Sequence, residues 1–203
     1  MVIRVHPVDS AGLVLPDGSW PDGLGVAGSL EGVRRFCNTV NRENGADAWR
    51  STTELDAWLA GEGYRVRPSR PVDLMRLRLV RDVIWESVRT RTREPIVAAV
   101  PEVLVRCEAD DGTVRLVSSG GTVEGVVADL VLRICDADRV GMFDRLKSCD
   151  HCRWVFYDTS KNRAGRWCSM QACGGREKAK AYRRRRSGVD LVSSGASGGR
   201  SVS

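Results

Sequence analysis

Four cysteines in the last third of the chain have the spacing of metal ligands. Cys149 and Cys152 form a C-x-x-C, and Cys168 and Cys173 follow after fifteen intervening residues. A C-x-x-C turn brings two sulfurs to one ion, and a second pair completes the tetrahedron that Zn2+ prefers. Clustered cysteines read as metal ligands before disulfides where thiols stay reduced. The expected cofactor is one structural Zn2+ held by Cys149, Cys152, Cys168 and Cys173. His151 sits between two better ligands, in a turn that should point it outward, and is not counted. Cys37, Cys107 and Cys135 lie on apolar or alternating segments and read as buried and reduced.

The residues around the ligands outline the elements that must position them. Arg153–Tyr157 reads as a strand, Asp158–Gly165 as a turn, and Arg166-Trp167 returns the chain to Cys168. Trp154 and Phe156 share one side of the strand, with Trp167 expected to pack near them. Four residues separate Cys168 from Cys173, so this pair should bracket a tight turn before a helix. Knuckle, hairpin, then ligand-bearing turn and helix is the order of a treble-clef finger. A core this small needs its metal to be stable.

Charge gathers at the same place. From Arg145 to Arg186 there are 13 Lys/Arg against three acids, Asp150, Asp158 and Glu177, which leaves +10 out of a total of +6. The rest of the chain is therefore mildly acidic, and the basic end calls for a polyanionic partner. A helix is expected over 174–186. Gly175, Ala179 and Tyr182 form a narrow stripe suited to packing on the hairpin. Arg176, Lys180, Arg183 and Arg184 fall on a neighbouring face, where like charges repel unless a counter-charge arrives. Phosphates of double-stranded DNA would supply it, and the major groove admits a helix. Lys161, Arg163 and Arg166 could grip the flanking backbone.

The rest of the chain reads as an α+β body. Apolar residues make up 42% of the sequence, enough for a core, and none of its apolar runs approaches the length of a membrane span. Residues 1–29 hold three prolines and five glycines and read as an N-terminal extension with a short strand near Val2–Val5. They lack the apolar core of a signal peptide, so a cytoplasmic location is expected. Ser51-Thr52-Thr53-Glu54 has capping-box spacing, opening a helix that Gly61 should stop. A longer helix should run from about 72 to 91, with Leu77, Val80, Ile84 and Val88 inward and Arg78 paired to Asp82. Alternation over 103–108 and 114–116 around Asp111-Gly112 predicts a hairpin. Val123, Val126, Val127, Leu130, Val131 and Ile134 predict an amphipathic helix. The body spans 30–140, the finger 145–186, and the Ser/Gly-rich 187–203 reads as a disordered tail. The preference for arginine over lysine suggests a GC-rich bacterial genome.

The motifs resemble a known family. Cys149-x-x-Cys152, Phe156-x-Asp158-x-Ser160-Lys161-Asn162 and Arg166-Trp167-Cys168-Ser169-Met170-x-x-Cys173-Gly174-Gly175-Arg176 closely resemble the CGNR zinc finger. Its name-giving tetrad is Cys-Gly-Asn-Arg, and here Gly175 stands in place of the asparagine. Upstream, Phe36-Cys37-Asn38-Thr39-Val40, the helix through Trp58-Leu59, the arginine-rich helix near 78–82 and the hairpin resemble, more loosely, the ABATE domain that commonly precedes this finger. The resemblance implies a bacterial stress-responsive regulator of transcription that binds DNA. Its body would sense a small-molecule ligand or form a homodimer. A finger for RNA or protein is the alternative. An enzyme is not expected, because the chain has only two histidines and the zinc shell is closed.

Overall fold

A computed structural model describes residues 25–193, apart from 69, 111, 112 and 119. The strand expected at Val2–Val5 and the end of the tail, 194–203, lie outside the described residues. Among the described residues the architecture is mixed: helices with three small antiparallel two-stranded sheets. Two compact units divide after Cys168.

The first unit opens with α1 (Gly25–Cys37), a helix that begins inside the segment read as an extension. Leu30, Val33, Phe36 and Cys37 recur on one face and are all buried. Two short strands follow, β1 (Val40–Asn41) and β2 (Ala46–Asp47). Then comes α2 (Thr52–Gly61), with the expected capping box between Ser51 and Glu54. The stop lies two residues beyond Gly61. Gly63 takes the left-handed conformation, at φ +84°, and Tyr64 turns back to bond the Leu59 carbonyl. Helix α3 (Pro71–Thr90) buries Leu77, Val80, Ile84 and Val88 as expected. A short helix, α4 (Glu94–Ala99), leads to the hairpin of β3 (Val105–Asp110) and β4 (Thr113–Ser118). Helix α5 (Val123–Arg139) is capped by Thr122, whose hydroxyl accepts from the Gly125 N–H. It buries Val126, Val127, Leu130 and Ile134.

The expected Arg78–Asp82 pair does not form. Arg78 turns to Asp47 at 3.4 Å and to the Trp49 carbonyl, while Asp82 binds Arg42 at 2.6 Å. The tertiary neighbours supply better partners than the next helical turn. Arg81 sits among them, 3% exposed, in a two-pronged bond to Asp47 at 2.7 and 2.9 Å. It also donates to the Thr39 hydroxyl and lies over the Trp49 ring. Two of the body's cysteines differ from expectation as well. Cys37 is buried, whereas Cys107 and Cys135 are exposed. Cys107 belongs to a two-stranded ribbon that leaves Leu104, Val114 and Leu116 exposed too. Cys135 lies off the buried stripe of α5.

Strands β5 (Leu146–Ser148) and β6 (Val155–Tyr157) close the unit as an antiparallel pair. Their Leu146, Val155 and Tyr157 join one continuous core with Leu30, Phe36, Trp49, Ile84 and Leu130. The core of the first unit therefore includes residues on both sides of 140–145. Alternation along β6 explains how: Val155 and Tyr157 face the body, and Phe156 is buried on the opposite side.

The second unit contains a π-helical turn, Met170–Gly174, and α6 (Gly175–Ser193). The helix continues seven residues past Arg186, into the segment expected to be disordered. Once a helix is nucleated, each added residue contributes its own hydrogen bond, and the single glycine at 188 costs only about 1 kcal/mol.

Candidate metal centre and its basic surroundings

The knuckle is built by backbone hydrogen bonds across the end of β5–β6. Cys149 N–H donates to the Trp154 carbonyl at 2.8 Å, and Arg153 N–H donates to the Cys149 carbonyl at 3.0 Å. Arg153 closes the turn in the left-handed region, at φ +65°. Asp150 N–H reaches the Arg166 carbonyl at 3.0 Å, tying the knuckle to the segment before Cys168. The strand pairing here differs from the sequence reading. The partner of β6 is β5, ahead of the knuckle, and 166–167 contributes this one bond instead of a strand. A turn of two cysteines is closed most compactly by the strand that enters it.

The third and fourth cysteines flank a capped turn. The Ser169 hydroxyl accepts from Ala172 N–H at 3.1 Å, and the Ser169 carbonyl accepts from the N–H groups of Cys173 and Gly174. The sulfurs of Cys149, Cys152, Cys168 and Cys173 all lie within 4.8 Å of one another, and all four residues are buried. Cys152 and Cys168 are 3.6 Å apart. Sulfurs about 2.3 Å from a zinc at the centre of a tetrahedron stand roughly 3.8 Å apart, so the donor set suits one Zn2+. His151 is not in the cluster; its ring faces Glu43 at 4.0 Å.

Crowding splits the titration of the three thiols that bond one another. Hydrogen bonds from Cys152 and Cys168 hold the Cys149 thiol far below the ordinary thiol range. The bond to Cys149, helped by burial, pushes Cys152 up to about 12 against a lowering bond from Cys168, and the bonds to Cys149 and Cys152 push Cys168 higher still. A divalent ion at the centre reverses the order for the last two, because thiolate is the form that binds metal.

The loop from 158 to 165 is organised by one carboxylate. Asp158, 3% exposed, accepts from Ser160 N–H at 3.0 Å, Gly165 N–H at 2.8 Å and Lys147 Nζ at 2.7 Å. Burial by itself would raise its pKa; Lys147 and these N–H groups outweigh burial and hold it well below the usual carboxylate range. Arg145 adds bonds to the carbonyls of Asp158 and Ser160. Arg145, Lys147 and Asp158 are thus scaffold, a role that sequence reasoning missed. Its signal was present: Asp158 is the only acid between the two cysteine pairs, followed by a serine two residues on.

The predicted cationic residues are all at the surface. Lys161, Arg163 and Arg166 are exposed on the loop, and Arg176, Lys180, Arg183 and Arg184 are exposed on α6. Arg166 is partly committed, to Asp150 at 2.8 Å and to the Trp167 ring. Of the stripe expected to pack, Ala179 is exposed and Tyr182 is 61% exposed. A helix so rich in arginine has too few apolar residues to bury a face. At Gly175, a Cβ would meet only the Met170 carbonyl oxygen, at 3.8 Å. A β-carbon is therefore accommodated at this position in ordinary contact.

This geometry is that of a zinc finger. Residues 145–186 match the family model of the CGNR zinc finger. No curated protein matches the chain. Among the described residues, no helix is long and apolar enough to cross a membrane.

Proposed function

We propose that the protein is a DNA-binding regulator of transcription in which zinc is structural. In this reading α6 and the 158–166 loop contact the duplex. The helical body senses a small molecule or joins two copies. The observation that carries the reading is the exposure of Arg176, Lys180, Arg183 and Arg184 along one helix of a zinc finger. Like charges four residues apart destabilise a helix by a few tenths of a kcal/mol per pair, so phosphate contact relieves a built-in repulsion. Four thiolates leave zinc no open position for water, so hydrolytic activity is not expected.

The test is affinity against salt, with duplex DNA, hairpin RNA and heparin compared at equal ionic strength. About five neutralised phosphates give a slope of roughly −4 to −5 for log affinity against log salt. A quadruple charge-reversed variant at 176, 180, 183 and 184 should lose binding while keeping its fold and zinc. Wild-type affinity in that variant, or preference for hairpin RNA over duplex DNA, would overturn the reading.

A further inference from the structure

We infer that a cleft formed by the end of α3, strand β5 and the 158–166 loop is a phosphate-binding site that takes the nucleic-acid backbone beside the finger. This rests on the DNA-binding reading above and adds residues of the body to it. The cleft measures about 330 Å3, and its charged lining is Arg89, Arg91, Lys147, Asp150, Arg163 and Arg166. Five cations therefore meet one carboxylate.

Three of the five are already matched. Arg89 pairs with Glu86, Lys147 with Asp158, and Arg166 with Asp150. Arg91 and Arg163 are exposed and have no carboxylate partner among the described residues. They come from segments far apart in sequence, and both line one cleft whose single carboxylate, Asp150, is already paired with Arg166. A cation after a helix C-terminus can be explained by the helix dipole, which accounts for Arg89 and Arg91. It does not account for Arg163, which lies in a loop.

The backbone adds a second sign. Arg163 takes the left-handed region within its loop, at φ +51°, whereas Arg91, at φ +61°, takes it as the ordinary left-handed cap of α3. For a residue with a side chain this costs roughly 1–2 kcal/mol, and glycine would avoid it. Strain of this kind gathers where a side chain must be held in place for a ligand. The loop is fixed by Asp158, Lys147 and Arg145, so Arg163 is presented on a rigid frame.

Phosphate is the oxyanion that fits. Exposed guanidiniums bind a single small anion weakly, but a polymer of phosphates sums many such contacts and releases counter-ions at each. The cleft is also lined by Arg163 and Arg166, two of the proposed DNA contacts. Arg91 would then position the duplex without reading sequence.

The experiment uses the full zinc-loaded chain with Arg91→Gly, Arg91→Lys and Lys180→Ala. Glycine suits the left-handed position, so Arg91→Gly keeps the fold while removing the charge. It should weaken binding to every duplex alike, by roughly eightfold at 0.1 M salt, and flatten the salt slope by about one. Arg91→Lys should restore most of that slope. Inorganic pyrophosphate should shift the backbone amide signals of Arg91 and Gly165 in wild type and not in Arg91→Gly. If Lys180→Ala weakens DNA binding while Arg91→Gly leaves affinity and slope unchanged, the cleft is refuted and the DNA reading stands. If wild type binds no duplex yet pyrophosphate binds in an Arg91-dependent way, the DNA reading fails and the cleft is a site for free phosphate. If neither ligand binds, both are wrong.

Discussion

Asn38 holds Val155 by both of its backbone groups. Its amide donates to the Val155 carbonyl at 2.8 Å and its side-chain oxygen accepts from the Val155 N–H at 2.8 Å. One residue just past α1 thus does for β6 what a third strand would do. Replacing Asn38 with alanine or leucine would strand two polar groups of a buried residue, at a cost of about 1–3 kcal/mol for each group. Asn38→Leu should lower the denaturation midpoint accordingly. An unchanged midpoint would show that water replaces the clamp at no cost.

Zinc should stabilise more than the finger. The strands that carry the knuckle contribute Leu146, Val155 and Tyr157 to the body's core. Purified protein should contain one zinc per chain, and chelation should lower the melting temperature of the whole chain. Structural zinc contributes on the order of 10 kcal/mol to isolated fingers, so the effect should be large. Cys152→Ser should reproduce it. Body helices that melted at the same temperature with and without zinc would show that the two parts unfold independently.

The Arg81–Asp47 pair should make stability depend on acid. Burial alone would raise the Asp47 carboxyl. Its bonds from Arg81 and from the Trp49 N–H outweigh burial and hold the pKa below its ordinary 3.8. A depressed carboxyl contributes fully above its unfolded pKa, and the contribution is lost as pH falls through the folded value. Asp47→Asn leaves the buried Arg81 with only the more distant Asp82, at 3.8 Å, and should cost on the order of 3 kcal/mol at neutral pH. The gap between wild type and variant should stay constant down to about pH 4 and narrow below it. A gap that widened toward acid would contradict this assignment.

Gly165 should not accept a side chain. A Cβ there would lie 2.7 Å from Asp158 Oδ1. Gly165→Ala must displace the carboxylate that ties Lys147 to the loop, at a cost of about 1–3 kcal/mol. Hydrogen exchange should quicken at Ser160 and Gly165, whose N–H groups bond that carboxylate. Protection unchanged at both positions would mean that the loop repacks around the methyl group.

Local rules made much of this protein legible. The four ligands follow from cysteine spacing, because a C-x-x-C turn and a second pair leave few other uses for buried thiols. The capping box at Ser51, the inward face of α3 and the amphipathic stripe of α5 follow from periodicity, which depends only on residues one or two turns apart. Tertiary structure decided what depends on distant neighbours. Arg78 and Asp82 are four residues apart yet choose Asp47 and Arg42, because β2 and the loop after β1 bring opposite charges closer. Whether Cys107 and Cys135 are buried depends on what covers a ribbon or a helix flank, and their own segments do not encode that. The core passes from the body into β5–β6 because both faces of β6 are buried, where a free-standing finger would leave one to water. The meeting of Arg91 with Arg163 is of the same kind: 72 positions separate them in sequence, and only the packing of α3 beside the loop puts both in one cleft.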